Sequence, residues 1–319
     1  MDIAGGSIKI FSGNGHPELA AEIAKNLGLS LSECVIKQFS DGEISVNMGD
    51  TVRGADVFIV QPTCYPVNDN LMELLLAVDA FKRASAGRIN AVIPYYGYAR
   101  QDRKAKPRDP ISAKLVADIL TSAGCDRVVS MDLHCAQIQG FFNIPLDHLT
   151  GMPILAGYYS TKFKDISNNF VAVSPDLGSV TRTRSFAEML DIPLAIVDKR
   201  RPKPNVSEIV NIIGEFGDKN VILFDDMIDT AGTITNAANT IKDKGAKAVY
   251  ACCTHPVLSG KAIERIEKSA IDELVVLDTI PLPQEKRIDK IKQLSTAKSF
   301  ANAIYRIHEG LPISVIADY

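Results

Sequence analysis

Nine short apolar runs rich in Val and Ile are spaced along the chain with amphipathic stretches between them. SIKIF, ADVFIVQP, INAVIPYY and RVVSMDLH lie in the first half; NFVAVSPD, PLAIVDK, NVILFDD, AVYACCTH and ELVVLDT lie in the second. Near-continuous β-branched content marks strands buried on both faces, which is the condition of a parallel sheet. The segments between them carry helical periodicity. NDNLMELLLAVDAFKRASAG places Leu71, Leu74, Leu75, Val78 and Phe81 on one face and is expected to end at Gly87; TITNAANTIKDKG places Ile234, Ala237, Ala238 and Ile241 on one face and is expected to end at Gly245. Strand and helix in alternation predict α/β units joined by right-handed crossovers, with mostly parallel sheets.

A chain of 319 residues suits about two domains. The halves have similar element order, and the least committed stretch, 145 to 165, puts the boundary between 1–150 and 151–319. Net charge is −3, from 35 basic and 38 acidic residues, so affinity for phosphate must be local and neither nucleic acid nor an anionic membrane is an expected partner. No apolar run reaches membrane-spanning length and no signal peptide is visible. The six cysteines show no CxxC or metal-finger spacing, and Cys252 and Cys253 sit together in an apolar run. They read as buried thiols of a cytoplasmic protein.

Polar clusters follow the strands directly, where ligands bind in open α/β sheets. In ILFDDMIDTAGT, residues Ile222 to Phe224 read as the end of a buried strand and Thr230 to Thr233 as a turn opening a helix. The free N–H groups and dipole of such a helix suit a phosphate, with Gly232 permitting close approach. Asp225, Asp226 and Asp229 stand in front of it. Carboxylates repel an inorganic anion but accept hydrogen bonds from sugar hydroxyls, so the combination suits a sugar phosphate. There is no GxxxxGK[ST], which argues against a P-loop nucleotidase.

GYARQDRKAKPRDP sets Arg100, Arg103, Lys104, Lys106 and Arg108 against Asp102 and Asp109, a phosphate-gripping segment expected to hinge near Gly97. KRRPKPN adds Lys199, Arg200 and Arg201. In MDLH, Asp132 and His134 lie two apart on an expected strand and so on one face. With Asp176 of VAVSPD they suit Mg²⁺ that keeps much of its water. QFSDGEISV, with Asp-Gly between alternating runs, predicts a hairpin that on spacing alone is a structural turn.

Taken in order, IKIFSGNGH, NDNLMELL, YARQDRK, MDLHCAQIQGFF, VSPD, DKRRP, DDMIDTAGT and CCTHPVLSG resemble the ribose-phosphate pyrophosphokinase (phosphoribosyl pyrophosphate synthetase) family, in its phosphate-activated class, over nearly the whole chain. The DDxxDTxGT motif is shared with phosphoribosyltransferases; its combination with YARQD and MDLH is more specific. The resemblance implies two similar phosphoribosyltransferase-type α/β domains with the active site between them, assembled as a homo-oligomer, mostly hexameric. It implies attack of the anomeric hydroxyl of ribose 5-phosphate on the β-phosphorus of MgATP, with AMP leaving. By the same resemblance Lys199 is the main catalytic cation and Arg201 its partner, Arg201 also serving ribose 5-phosphate. Asp225 and Asp226 meet the ribose hydroxyls; Asp229, Thr230, Ala231, Gly232 and Thr233 meet the 5-phosphate. Arg100 and Gln101 belong to the ATP site, Phe39, Asp41, Gly42 and Glu43 form an adenine-binding turn supplied to a neighbouring subunit, and His134 and Asp176 are linked to Mg²⁺.

The chain departs from the family pattern twice. SPD-x-GG reads SPDLGS, with Ser179 for the second glycine. The usual SVSYLF ending reads PISVIADY, which argues against carrying over phosphate activation and ADP inhibition. Two other readings are a phosphoribosyltransferase, which needs neither YARQD nor MDLH, and a catalytically weak regulatory homologue, which lesions in the basic loops would mark.

Overall fold

The computed structural model describes residues 6–200 and 209–314. They form two compact units. The first comprises the described residues up to 150, with 279–281 and those from 295 onward, and the second those of 151–278 and 282–294.

The first unit contains β1 (Ile8–Ser12), α1 (Pro17–Asn26), β2 (Cys34–Gln38), β3 (Ile44–Met48), β4 (Asp56–Val60), α2 (Val67–Arg83), β5 (Arg88–Ile93), α3 (Ser112–Ala123), β6 (Arg127–Met131) and β7 (Leu146–Leu149). The order β1-β4-β5-β6-β7 makes a five-stranded sheet in which every pairing is parallel. β4 is buried along its whole length, as its uninterrupted apolar run requires. Leu74, Val78 and Phe81 of α2 are fully buried against this sheet, with Leu71 and Leu75 partly buried beside them. α2 stops at an Ala84 cap rather than at Gly87, because Ser85 turns left-handed at φ 64°. β2 and β3 form a separate antiparallel hairpin.

The second unit contains α4 (Met152–Lys162), the one-turn α5 (Ile166–Asn169), β8 (Phe170–Ser174), α6 (Val180–Leu190), β9 (Leu194–Arg200), β10 (Ile209–Ile213), β11 (Asn220–Ile228), α7 (Gly232–Asp243), β12 (Val249–Pro256), α8 (Ala262–Lys268), β13 (Glu273–Leu277) and β14 (Ile291–Leu294). Its seven strands run β10-β9-β8-β11-β12-β13-β14, all parallel except β10 against β9. The longest strand, β11, lies between β8 and β12. Ile234, Ala237, Ala238 and Ile241 of α7 face the core as the periodicity predicts, and Gly245 takes φ 102° just past the helix.

The last helix, α9 (Ala297–His308), belongs to the first unit. Polar ties hold it there, among them Arg88 Nη2 donating to the Ile307 carbonyl at 3.2 Å. Ser295 Oγ donates to Glu22 at 2.7 Å, and His308 Nδ1 lies 2.9 Å from buried Asp56. Burial alone would raise the Asp56 pKa, but hydrogen bonds from Arg88 and His308 overcome it and hold it below the ordinary carboxylate value. All six cysteines are free, with Cys252 and Cys253 fully buried. Among the described residues no helix is long and apolar enough to cross a membrane.

Candidate functional site

The apolar run before the acid motif does not end at Phe224. β11 continues to Ile228, and Asp225 pairs with Cys253 of β12, so both acids lie within the sheet. Hydrogen bonding of the parallel ladder carries the strand past the point where hydrophobicity stops. The two acids have different surroundings. Asp226 is 4% exposed and its Oδ1 meets Arg182 Nη1 of α6 at 2.9 Å. Asp225 is partly exposed. Its Oδ1 accepts from Ser179 Oγ at 2.7 Å and from the Asp226 N–H at 2.9 Å. Burial and then the neighbouring Asp226 charge push its pKa up to about 7, against the pull of the Ser179 hydrogen bond. Asp226 lies against Arg182, and beyond burial the rise comes from two carboxylates held side by side.

Beyond the strand the chain makes a constrained turn into α7. Asp229 is held through Ser259, whose hydroxyl donates to Oδ1 and whose N–H donates to the Asp229 carbonyl at 2.9 Å. The Thr230 carbonyl accepts from Arg265 Nη1 at 2.7 Å. The left-handed residue is Ala231 (φ 61°), not Gly232. Thr235 keeps it there by donating both its N–H, at 3.0 Å, and its Oγ1, at 2.7 Å, to the Ala231 carbonyl. A Cβ placed on Gly232 would come no nearer than 3.6 Å to Arg265 and would strain nothing in the protein. Close approach of a ligand therefore remains as the reason for a glycine here. Thr230 and Thr233 are exposed at the mouth of the helix.

Other strand ends carry the remaining residues. After β8, Asp176 Oδ1 accepts the N–H groups of Gly178 at 2.9 Å and Ser179 at 3.0 Å. Lys199 is placed by its backbone in β9, opposite Val210. Arg201 lies outside the described residues. After β6 the expected geometry fails. The strand ends at Met131 and Asp132 turns left-handed at φ 38°, so strand alternation does not put Asp132 and His134 on one face. His134 is half-buried in the following segment.

In the first unit, Arg100 and Gln101 line a cleft of about 550 Å³ with Tyr65, Asn68, Asp69 and Tyr98. Gln101 is fixed at the start of α3: its side chain meets Ser112 Oγ and its carbonyl accepts the Ala113 N–H. Gly97 is not a hinge. It is buried, its N–H donates to Thr63 Oγ1 at 2.7 Å, and a Cβ there would fall 2.5 Å from the Thr63 carbonyl oxygen. From Arg103 to Arg108 the side chains are exposed. The hairpin forms at QFSDGEISV, with the Phe39 N–H donating to the Glu43 carbonyl at 2.7 Å and Gly42 at φ 96°. It carries Asp41 and Glu43 on its exposed tip beside Phe39, which is 59% exposed.

Four residues partner the acid motif in ways no local pattern reports: Ser179, which the sequence marks only as a departure from the family pattern, Arg182, Ser259 and Arg265. Each lies 30 to 46 positions from its partner. Backbone strain offers an independent signal. Among the described residues eight non-glycines have left-handed φ, and five of them (Tyr98, Arg108, Asp132, Ala231, Leu258) fall in the polar strand-end segments or family motifs the sequence singles out. Each such conformation costs about 1–3 kcal/mol and persists where its surroundings over-determine it, which is a feature of functional loops.

Two family models match the chain: the N-terminal domain of ribose phosphate pyrophosphokinase over residues 8–124, and the phosphoribosyl synthetase-associated domain over residues 198–317. A ribose-phosphate pyrophosphokinase of Clostridium perfringens is 68% identical over 308 residues, 97% of each chain. One from Caldanaerobacter subterraneus is 64% identical over the same share. The crystal structure of phosphoribosylpyrophosphate synthetase from Mycobacterium smegmatis is 42% identical, covers 96% of this chain and 100% of its own, and superposes with a TM-score of 0.90.

Proposed function

The chain belongs to the ribose-phosphate pyrophosphokinase family, and from that membership we infer what its residues do. It is a transferase. It moves the diphosphoryl group of ATP to the anomeric hydroxyl of ribose 5-phosphate, giving 5-phosphoribosyl 1-diphosphate and AMP. The bond between the anomeric oxygen and the β-phosphorus forms, and the bridge between the α- and β-phosphates breaks. The hydroxyl proton is released. Nothing in the comparisons supports a weak regulatory homologue, since curated relatives at 58 to 68% identity over nearly full length carry the enzyme's name.

The observation that carries the residue assignments is the pairing of a partly exposed carboxylate with a helix N-terminus at the end of β11. Asp225 accepts the ribose hydroxyls, with Asp226 behind it. The N–H groups from Thr230 to Thr233 hold the 5-phosphate, and Asp229 shapes their turn through Ser259. Arg100 and Gln101 hold the nucleotide. Lys199 and Arg201 neutralise charge that develops on the transferred group, the main task in phosphoryl-type transfer. The ATP loops belong to 1–150 and the ribose 5-phosphate loop to 151–319.

A transferase of this kind is consistent with a metal cofactor, which we assign as Mg²⁺. Among the described residues no three His, Cys, Asp or Glu side chains converge as a cage. Mg²⁺ ordinarily keeps several waters and shares the substrate's phosphates, so it needs few protein ligands. His134 and Asp176 would hold it, Asp176 through the oxygen left over from its turn. When bound, the ion screens charge on the phosphates undergoing transfer. The exposed Phe39 at the hairpin tip favours an oligomer, with the hexamer as our assignment, in which Phe39, Asp41, Gly42 and Glu43 serve a neighbouring subunit's adenine. Six free thiols support a cytoplasmic location.

Asp225→Asn tests the sugar assignment. It is expected to raise the KM for ribose 5-phosphate by about tenfold or more, the scale of a hydrogen bond to a charged group, and to leave the KM for ATP within about threefold. Equal rises in both would contradict it.

A further inference from the structure

Ser179 stands at the N-cap of α6, and it does not cap the helix. A serine in that position ordinarily turns its hydroxyl back to the second or third helical N–H, a stabilising bond that explains its frequency there. Here the hydroxyl donates instead to Asp225 Oδ1 at 2.7 Å, across 46 residues of sequence. The side chain is 5% exposed, so the donor has left water to make this bond.

The rest of Ser179 is anchored on both sides. Its N–H donates to Asp176 Oδ1 at 3.0 Å, and its carbonyl accepts Thr183 Oγ1 at 2.8 Å and the Thr183 N–H at 2.9 Å. A hydroxyl carried on a backbone fixed at three points is a positional reference. On the other side of the bond, Asp225 Oδ1 receives two donors, the Ser179 hydroxyl and the Asp226 N–H. Two donors on one oxygen fix the carboxylate torsion, and the partly exposed carboxylate keeps further acceptor capacity. A chain of three residues, Asp176 to Ser179 to Asp225, thus ties the turn after β8 to the acid on β11.

We infer that Ser179 is a positioning residue for ribose 5-phosphate, holding the Asp225 carboxylate in the orientation that receives the sugar hydroxyls. This rests on Asp225 being a sugar-hydroxyl acceptor. It also gives the SPDLGS departure from SPD-x-GG a consequence, because glycine has no donor to offer Asp225. Forgoing the cap is the stability cost of placing the hydroxyl on Asp225.

The test separates the sugar end of the ligand from its phosphate end. The full-length chain is loaded with magnesium and an ATP analogue whose α,β-bridge is methylene, so that no transfer occurs. Ribose 5-phosphate and, separately, inorganic phosphate are then titrated by calorimetry. Ser179→Ala is expected to weaken ribose 5-phosphate about tenfold, the low end for a hydrogen bond to a charged group, and to leave phosphate within about twofold. Ser179→Gly, unstrained at φ −91°, is expected to reproduce the loss should the alanine variant fold poorly. Ser179→Thr retains the hydroxyl and is expected to recover most of the affinity. Equal weakening of both ligands, or no weakening of ribose 5-phosphate, overturns the inference. If the unaltered chain binds ribose 5-phosphate no more tightly than phosphate, the sugar assignment of Asp225 fails first, and the positioning role falls with it.

Discussion

The acidic turn after β11 and the basic segment before α3 solve opposite problems. In the turn, Asp229, Thr230 and Ala231 are each held by a hydrogen bond. Ser259 and Arg265 fasten Asp229 and Thr230, Thr235 fastens Ala231, and Arg182 and Ser179 fasten the two acids. From Arg103 to Arg108 the side chains stand in solvent. The difference follows from the ligand groups each is suited to meet. Neutral sugar hydroxyls give little long-range attraction, so their acceptors must be in place beforehand. A polyphosphate attracts cations from a distance, and exposed arginines and lysines can settle on it after encounter. Losing a basic group should therefore be felt in turnover, and losing an acidic group in sugar affinity or in stability.

The largest expected effect is on the basic side. Lys199→Ala is expected to lower kcat by about 100- to 1000-fold, the scale of removing one preorganised transition-state contact, while ATP affinity changes little. A large loss of ATP binding with unchanged kcat would move Lys199 out of the catalytic role.

The acids should separate from each other. Asp225 has a pKa of about 7 when folded, above the ~3.9 of an unfolded aspartate. Between these values the folded chain binds the proton more tightly than the unfolded one, so ligand-free stability falls as pH rises through that window. Asp225→Asn removes this penalty and is expected to gain about 1–2 kcal/mol at pH 8, read as a higher Tm, with little gain at pH 4. Asp226→Asn removes the charge that pairs with Arg182 and is expected to lose about 1–3 kcal/mol. Matching Tm shifts in the two variants would erase the distinction. Ribose 5-phosphate affinity of the unaltered chain is expected to rise from pH 6 to pH 8 as Asp225 ionises.

The smallest effect probes the turn. Ala231→Gly relieves a left-handed alanine in the folded chain and loosens the unfolded one, contributions of about 1 kcal/mol each with opposite sign. Stability should change by less than about 1 kcal/mol. A larger loss would show that the Ala231 methyl, buried in the core cluster, contributes packing.

The strands that the sequence reveals are the Val- and Ile-rich runs of the two large sheets, and the β2–β3 hairpin through its Asp-Gly turn. β7, β10 and β14 escaped because they are short or at sheet edges: LDHL and IKQL are only partly buried, and IVNII is an antiparallel margin. The attachment of α9 to the first unit is equally invisible, since it depends on His308 meeting Asp56 and Ser295 meeting Glu22 across more than 250 residues. At the site, residue types and their order were legible because phosphate and sugar chemistry restrict them. Geometry was legible only where periodicity governs it. It failed at Asp132, where the chain leaves the strand, and at Gly97, where small size serves close packing. The partners of the acids, Ser179 and Arg182 among them, are set by tertiary contact alone.

The proposed function requires a sugar-phosphate cradle and a nucleotide-gripping segment to transfer two phosphates at once. The direct measurement is the nucleotide product. The chain is incubated with ribose 5-phosphate, ATP and magnesium, and the products are resolved by anion-exchange chromatography. AMP is expected in equal amount to 5-phosphoribosyl 1-diphosphate; ADP as the stoichiometric product would mean that one phosphate moves, and would contradict the account.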